Sequence, residues 1–74
     1  LAVVTSGRPL VIEVELTPKA PRRLEALIRA WRRAEWVGGV RYYCEPGLTR
    51  RAVERAVAKA HAERRVSVLE AVAL

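Results

Sequence analysis

The sequence has 74 residues, with 14 Lys or Arg against 8 acids for a formal charge of +6; 51% of its residues are apolar and 30% charged. A chain of this size folds as one domain that buries only about 60% of its unfolded surface. The composition excludes a disordered tail, and no apolar run approaches the roughly 18 residues that cross a bilayer. Cys44 is the sole cysteine, which excludes an internal disulfide and a multi-cysteine zinc site. No signal-peptide pattern opens the chain, so the expected compartment is the cytoplasm, with no membrane partner. There is no Met, and Leu1 enters directly on an apolar run, so residues 1–74 are expected to form a single domain cut from a longer protein.

Leu1 to Thr5 is an apolar run closed by Ser6-Gly7-Arg8-Pro9, which reads as a hairpin connection. From Leu10 to Thr17 the chain alternates: Leu10, Ile12, Val14 and Leu16 point one way, Val11, Glu13, Glu15 and Thr17 the other, as in a strand. Pro18 and Pro21 stop it, and Pro21 suits the first turn of a helix running to about Trp36. Leu24, Leu27, Ile28, Trp31 and Ala34 form the buried stripe of that helix, with Arg22, Arg29 and Arg33 opposite. Gly38-Gly39 leads to a short strand, Val40 to Glu45, and Glu45-Pro46-Gly47 to a turn. Thr49 then reads as the N-cap of a second helix running to about Arg64, with Leu48 and Val53 as a hydrophobic staple. Its inner stripe is Val53, Ala56, Val57 and Ala60; Arg51, Arg55 and Lys59 lie outside, and Val66 to Val72 is a final strand. The order β-β-α-β-α-β predicts a small mixed sheet in an α/β (α+β) fold.

The segment Ile12-Glu13-Val14-Glu15-Leu16-Thr17-Pro18-Lys19 places two carboxylates on one strand face with a lysine just beyond the strand. Mg²⁺ takes oxygen ligands of this kind, and a bound metal can activate water against a phosphate. The spacing taken alone is more often that of a solvated outer face, where alternating Glu and Thr is ordinary.

A hairpin whose second strand carries acid-x-acid, followed by helix, strand, helix and strand, resembles the later part of the PD-(D/E)XK (restriction-endonuclease-like) nuclease core. More closely, Val14-Glu15-Leu16-Thr17-Pro18-Lys19, Leu27-Ile28-Arg29-Ala30-Trp31 and Val40-Arg41-Tyr42-Tyr43 resemble the nuclease-like C-terminal part of actinobacterial replication-relaxation-like proteins of plasmids and mobile elements. The resemblance implies a DNA-associated, Mg²⁺-dependent phosphodiesterase in the full-length protein. Glu13 takes the place of the motif acid, Glu15 the place usually held by Lys, and Lys19 stands in for that lysine; Glu13 and Glu15 are the implied metal ligands. The family's hairpin Asp falls at or before Leu1, and the sequence contains no Asp, so this fragment is expected to be inactive by itself.

The second constellation is cationic: Arg22, Arg29 and Arg33 on the first helix, and Arg50, Arg51 and Arg55 on the second, read as phosphate contacts to DNA. The competing description is a solvated face laced by pairs such as Glu25 with Arg29 and Arg51 with Glu54. Trp31 and one of Tyr42 and Tyr43 belong to the core, and Cys44 reads as a small buried thiol. A different function also fits: a protein-interaction or dimerisation module without catalysis, docking a second copy or a neighbouring domain through its sheet edge, with the glutamates solvating the exposed face.

Overall fold

A computed structural model of the chain describes residues 2–3, 7–17 and 19–71. Leu1, Val4, Thr5, Ser6, Pro18 and Val72, which the sequence reading assigned to strands, a turn and a strand stop, lie outside the described residues. Strand β1 (Ala2–Val3) pairs antiparallel with β2 (Leu10–Glu15), Ala2 opposite Val11 and Val3 opposite Leu10. Helix α1 (Pro21–Arg33) leads to β3 (Gly39–Cys44), parallel to β2. Helix α2 (Leu48–Lys59) leads to β4 (Val66–Glu70), parallel to β3, and the strand order is β1-β2-β3-β4. The fold is a small mixed α/β sheet with three parallel strands and two helices, the class that periodicity predicts.

Both helices cover the same side of the sheet. Register sets Val11 beside Val40 and Val40 beside Val66, so these residues project from one face. They share a single core with Tyr42 and Cys44 of β3, Leu24 and Ile28 of α1, and Val53, Ala56 and Val57 of α2. The molecule is consequently a two-layer slab, only 16 Å along its shortest axis. The opposite face, carrying Leu10, Ile12, Val14, Arg41, Tyr43, Ser67 and Leu69, has no layer over it among the described residues; Val14 is 50% exposed.

This arrangement decides which side of β2 is covered. Val11, Glu13 and Glu15 face the helices, because Glu13 is in register with the buried Tyr42 and Glu15 with the buried Cys44. Glu15 is only 7% exposed, so the solvated outer face is not where the glutamates lie.

The helix ends also differ from the periodic reading. Helix α1 stops at Arg33, not Trp36: Ala34 turns extended, and Val37, fully buried, swings into the core. Arg65, from the α2–β4 turn, donates to the carbonyls of Ala34 and Val37 (3.1 Å to Val37), clasping the turn that follows the helix. Gly38 allows that turn to pass the hairpin, since a Cβ there would stand 3.0 Å from the Arg8 carbonyl oxygen. Helix α2 begins with Gly47 as its N-cap residue, two positions earlier than the expected Thr49 cap. Thr49 is buried within the first turn, and Leu48 is 71% exposed and staples nothing. The helix ends at Lys59 because His61 takes φ +52°, with the amide of Ala62 bonded to the Val57 carbonyl and that of His61 to Ala58. These two bonds make a Schellman cap with histidine where glycine is usual.

Candidate functional site at the carboxyl ends of the parallel strands

Short connections join Glu15 to Pro21 and Cys44 to Leu48, so the first turns of α1 and α2 sit at the carboxyl ends of β2 and β3. At that end one row of the helix-facing side reads Glu15, Cys44, Glu70 across three strands. Each glutamate holds a cation from the segment that follows a strand. Lys19 Nζ donates to Glu15 Oε1. Arg50 Nη1 donates to Glu70 Oε1 at 2.5 Å, and Arg50 Nε lies 3.5 Å from Glu54 Oε2 as an ion pair without a formed hydrogen bond. Between them the Cys44 thiol is buried and donates weakly to the Tyr42 carbonyl at 3.8 Å. Burial, with the Glu15 charge adding to it, pushes the thiol pKa up to about 11, so it is a neutral core group.

One row further in lie Glu13, Tyr42 and Val68. Trp31 Nε1 donates to Tyr42 Oη at 3.1 Å, and Trp31 packs its ring 6.2 Å from that of Trp36, tilted by 60°. Burial pushes the Tyr42 phenol up to about 12 against the opposing pull of the Trp31 bond, and the charges of Glu13 and Glu15 add to the rise. Tyr42 is the core tyrosine, and Tyr43 stands on the uncovered face.

The structure thus brings Glu13, Glu15 and Lys19 together at one end of β2. Glu70 shares the row of Glu15 but stands two strands away, about 9.5 Å at ordinary strand spacing. Among the described residues no group of three His, Cys, Asp or Glu side chains can hold a metal ion. Two carboxylates are nonetheless what Mg²⁺ commonly takes from protein when water and substrate phosphates complete its shell. Glu13 and Glu15 would hold it, in competition with the Lys19 ammonium already on Glu15.

The arginines divide. At 100° per residue, Arg22, Arg29 and Arg33 lie opposite Leu24 and Ile28 on α1, and Arg51 and Arg55 lie opposite Val53 and Val57 on α2; all five are exposed. Because the helices lie side by side, both rows belong to one molecular surface. Arg50 does not join them, because it turns toward Glu70 and Glu54; Glu54 meets Arg50 in place of the expected Arg51. The expected pair of Glu25 with Arg29 forms at 2.7 Å. That Arg29 hydrogen bond lowers the carboxyl pKa of Glu25 against the opposing effect of desolvation, with the charges of Arg29 and Lys59 assisting. A shallow groove between the helices is lined by Pro21, Glu25, Ala52, Arg55, Ala56 and Lys59.

Sequence reasoning missed Glu70 and Glu54 as partners of Arg50, and Arg65 as the clasp on the α1–β3 turn. For Glu70 the signal was its alternation with Val66 and Val68 on β4. Searches against protein-family models, curated proteins and solved structures find no significant match to this chain. No described helix is long and apolar enough to cross a membrane.

Proposed function

We propose that the chain is a nuclease-like, DNA-associated domain of restriction-endonuclease-like type, from a plasmid or mobile-element replication protein, in which Glu13, Glu15 and Lys19 form the strand-borne part of a phosphodiester site. The observation that carries this reading is the placement of both carboxylates on the helix-facing side at the carboxyl end of β2, with the nearly buried Glu15 bound to Lys19. In open parallel sheets, ligands are held outside that end of the strands. A second feature supports it. Both helices carry arginine and no acid in their first turn, and neither has a side-chain cap. Cations there oppose the helix dipole, and no acidic side chain competes with an anion at either helix start. Sequences depart from such local preferences most often at functional sites.

A phosphate reaching this end meets Lys19, Arg22 and Arg51. Lys19 exchanges Glu15 for a phosphate oxygen, which frees the carboxylate, and Glu13 and Glu15 then face the phosphate from the strand side. A Mg²⁺ held there supplies Lewis-acid polarisation and water activation. Cleavage at such a site needs a further acid beside the two glutamates.

Calorimetric titration with Mg²⁺ tests the reading on wild type, Glu13→Ala and Lys19→Met, with folding of each variant checked by circular dichroism. Weak binding is expected in wild type, loss in Glu13→Ala, and tighter binding in Lys19→Met, because the competing ammonium is gone. Equal heats in all three overturn it.

The second reading, a dimerisation module without catalysis, rests on the uncovered sheet face, where Val14, Leu16 and Leu69 are exposed. Parallel strands are usually covered on both sides. Sedimentation should then show concentration-dependent mass that Val14→Lys abolishes; a wild-type monomer at every concentration rejects it.

A further inference from the structure

We infer that the outer face of the helical layer is a binding surface for the sugar-phosphate backbone of duplex DNA, read without sequence preference. The inference rests on the DNA-associated part of the reading above and adds the surface and the form of the nucleic acid. Arg22, Arg29 and Arg33 form one cationic row, and Arg51, Arg55 and Lys59 a second on the neighbouring helix, all six exposed. Packed helices stand about 8–10 Å apart, so the rows flank the groove between α1 and α2 rather than merging into one line. Two rows suit two phosphate chains. The acids of the molecule are mostly elsewhere: Glu15, Glu54 and Glu70 are paired at the carboxyl ends of the strands. Glu25, in the groove, is bound by Arg29.

Two absences on this face decide the mode of recognition. Binding of single strands relies on aromatic platforms for stacked bases. Here Tyr42 is core, Trp31 is half-buried on the inner stripe, Trp36 lies in the turn after α1, and Tyr43 is on the uncovered sheet face. Reading of adenine relies on Asn or Gln, and the sequence contains neither. What remains is arginine and lysine, which against phosphate position a duplex without specifying sequence; the one base contact they add is to guanine.

Fluorescence anisotropy with labelled duplexes tests this. Six phosphate contacts give a log-log salt slope of about −5, or roughly a thousandfold loss of affinity between 50 and 200 mM salt. Two duplexes of unrelated sequence should bind equally, and more tightly than either single strand or an RNA duplex. The triple variant Arg22→Ala, Arg29→Ala, Arg33→Ala should lose at least tenfold in affinity and about half the slope. The control Arg8→Ala, Arg41→Ala, Arg64→Ala removes the same charge from other exposed positions and should lose much less. Equal losses in both variants, preference for a single strand or for RNA, or no duplex binding at 50 mM salt each overturn the inference. The Mg²⁺ titration of Glu13→Ala uses no DNA and decides the carboxylate site separately.

Discussion

The Glu15–Lys19 pair offers a direct way to separate stability from function. Glu15 is 8% exposed at its side chain and Lys19 32%. Breaking a fully buried pair by removing one partner costs about 3–5 kcal/mol; with Lys19 a third open to water, Lys19→Met should cost roughly 1–3 kcal/mol. For a domain of this size that lowers the melting temperature by roughly 5–20 °C. Replacing both partners by apolar residues of similar volume, Glu15→Leu with Lys19→Met, leaves no charge stranded, and such exchanges are commonly neutral or stabilising. Urea denaturation followed by tryptophan fluorescence measures both. The expected order is single variant least stable, double variant at or above wild type. That order means the ion pair is not retained for stability, in keeping with a role at the carboxyl end of β2. A double variant as unstable as the single, or less stable, refutes the reasoning.

Three further outcomes follow from the packing. Tyr42 and Cys44 have pKa values raised from 10.0 and 9.0 to about 12 and about 11, so the fold favours their neutral forms. The unfolded chain ionises first as pH rises, so their contribution is complete below about pH 9 and is lost between there and about pH 12. Urea midpoints should fall across that window, and Tyr42→Phe should flatten the upper part of the decline. His61→Gly removes the left-handed strain at the α2 cap and, with the imidazole exposed, should stabilise by about 0.5–1 kcal/mol; a lower urea midpoint contradicts the cap assignment. Ile28, with no exposed surface, should cost about 2–5 kcal/mol on conversion to Ala, a large share of the roughly 4–11 kcal/mol expected for this length, and thermal melts would show a near-unfolded variant.

Periodicity was enough to find both helices and β2, β3 and β4, because each has a clear period of its own. It failed where the decision is tertiary. Alternation along β2 is unambiguous about which residues share a face and silent about which face is covered; only pairing of Val11 with Val40 places the helices over the glutamates and leaves Val14 outside. Helix α1 ends where Arg65 clasps the carbonyl of its C-cap residue Ala34, a contact from 31 positions away with no local signature. Helix α2 ends among Ala58, Lys59, Ala60, His61 and Ala62, none of which forbids a helix; the stop is made by the cap bonds to Val57 and Ala58. The carboxylate pair on one strand side was legible in the E-x-E spacing, as was the cationic row of α1. The inward turn of Arg50 was not, since its partner Glu70 comes from the far strand.

The slab has two unlike faces, one cationic and helical, the other an apolar sheet surface. An anionic polymer that meets the first necessarily leaves the second pointing outward. The two readings of this protein therefore do not compete for the same residues. Copies arrayed along a duplex would each turn Val14 and Leu69 away from it, and bridging between such complexes would depend on DNA occupancy as well as on protein concentration.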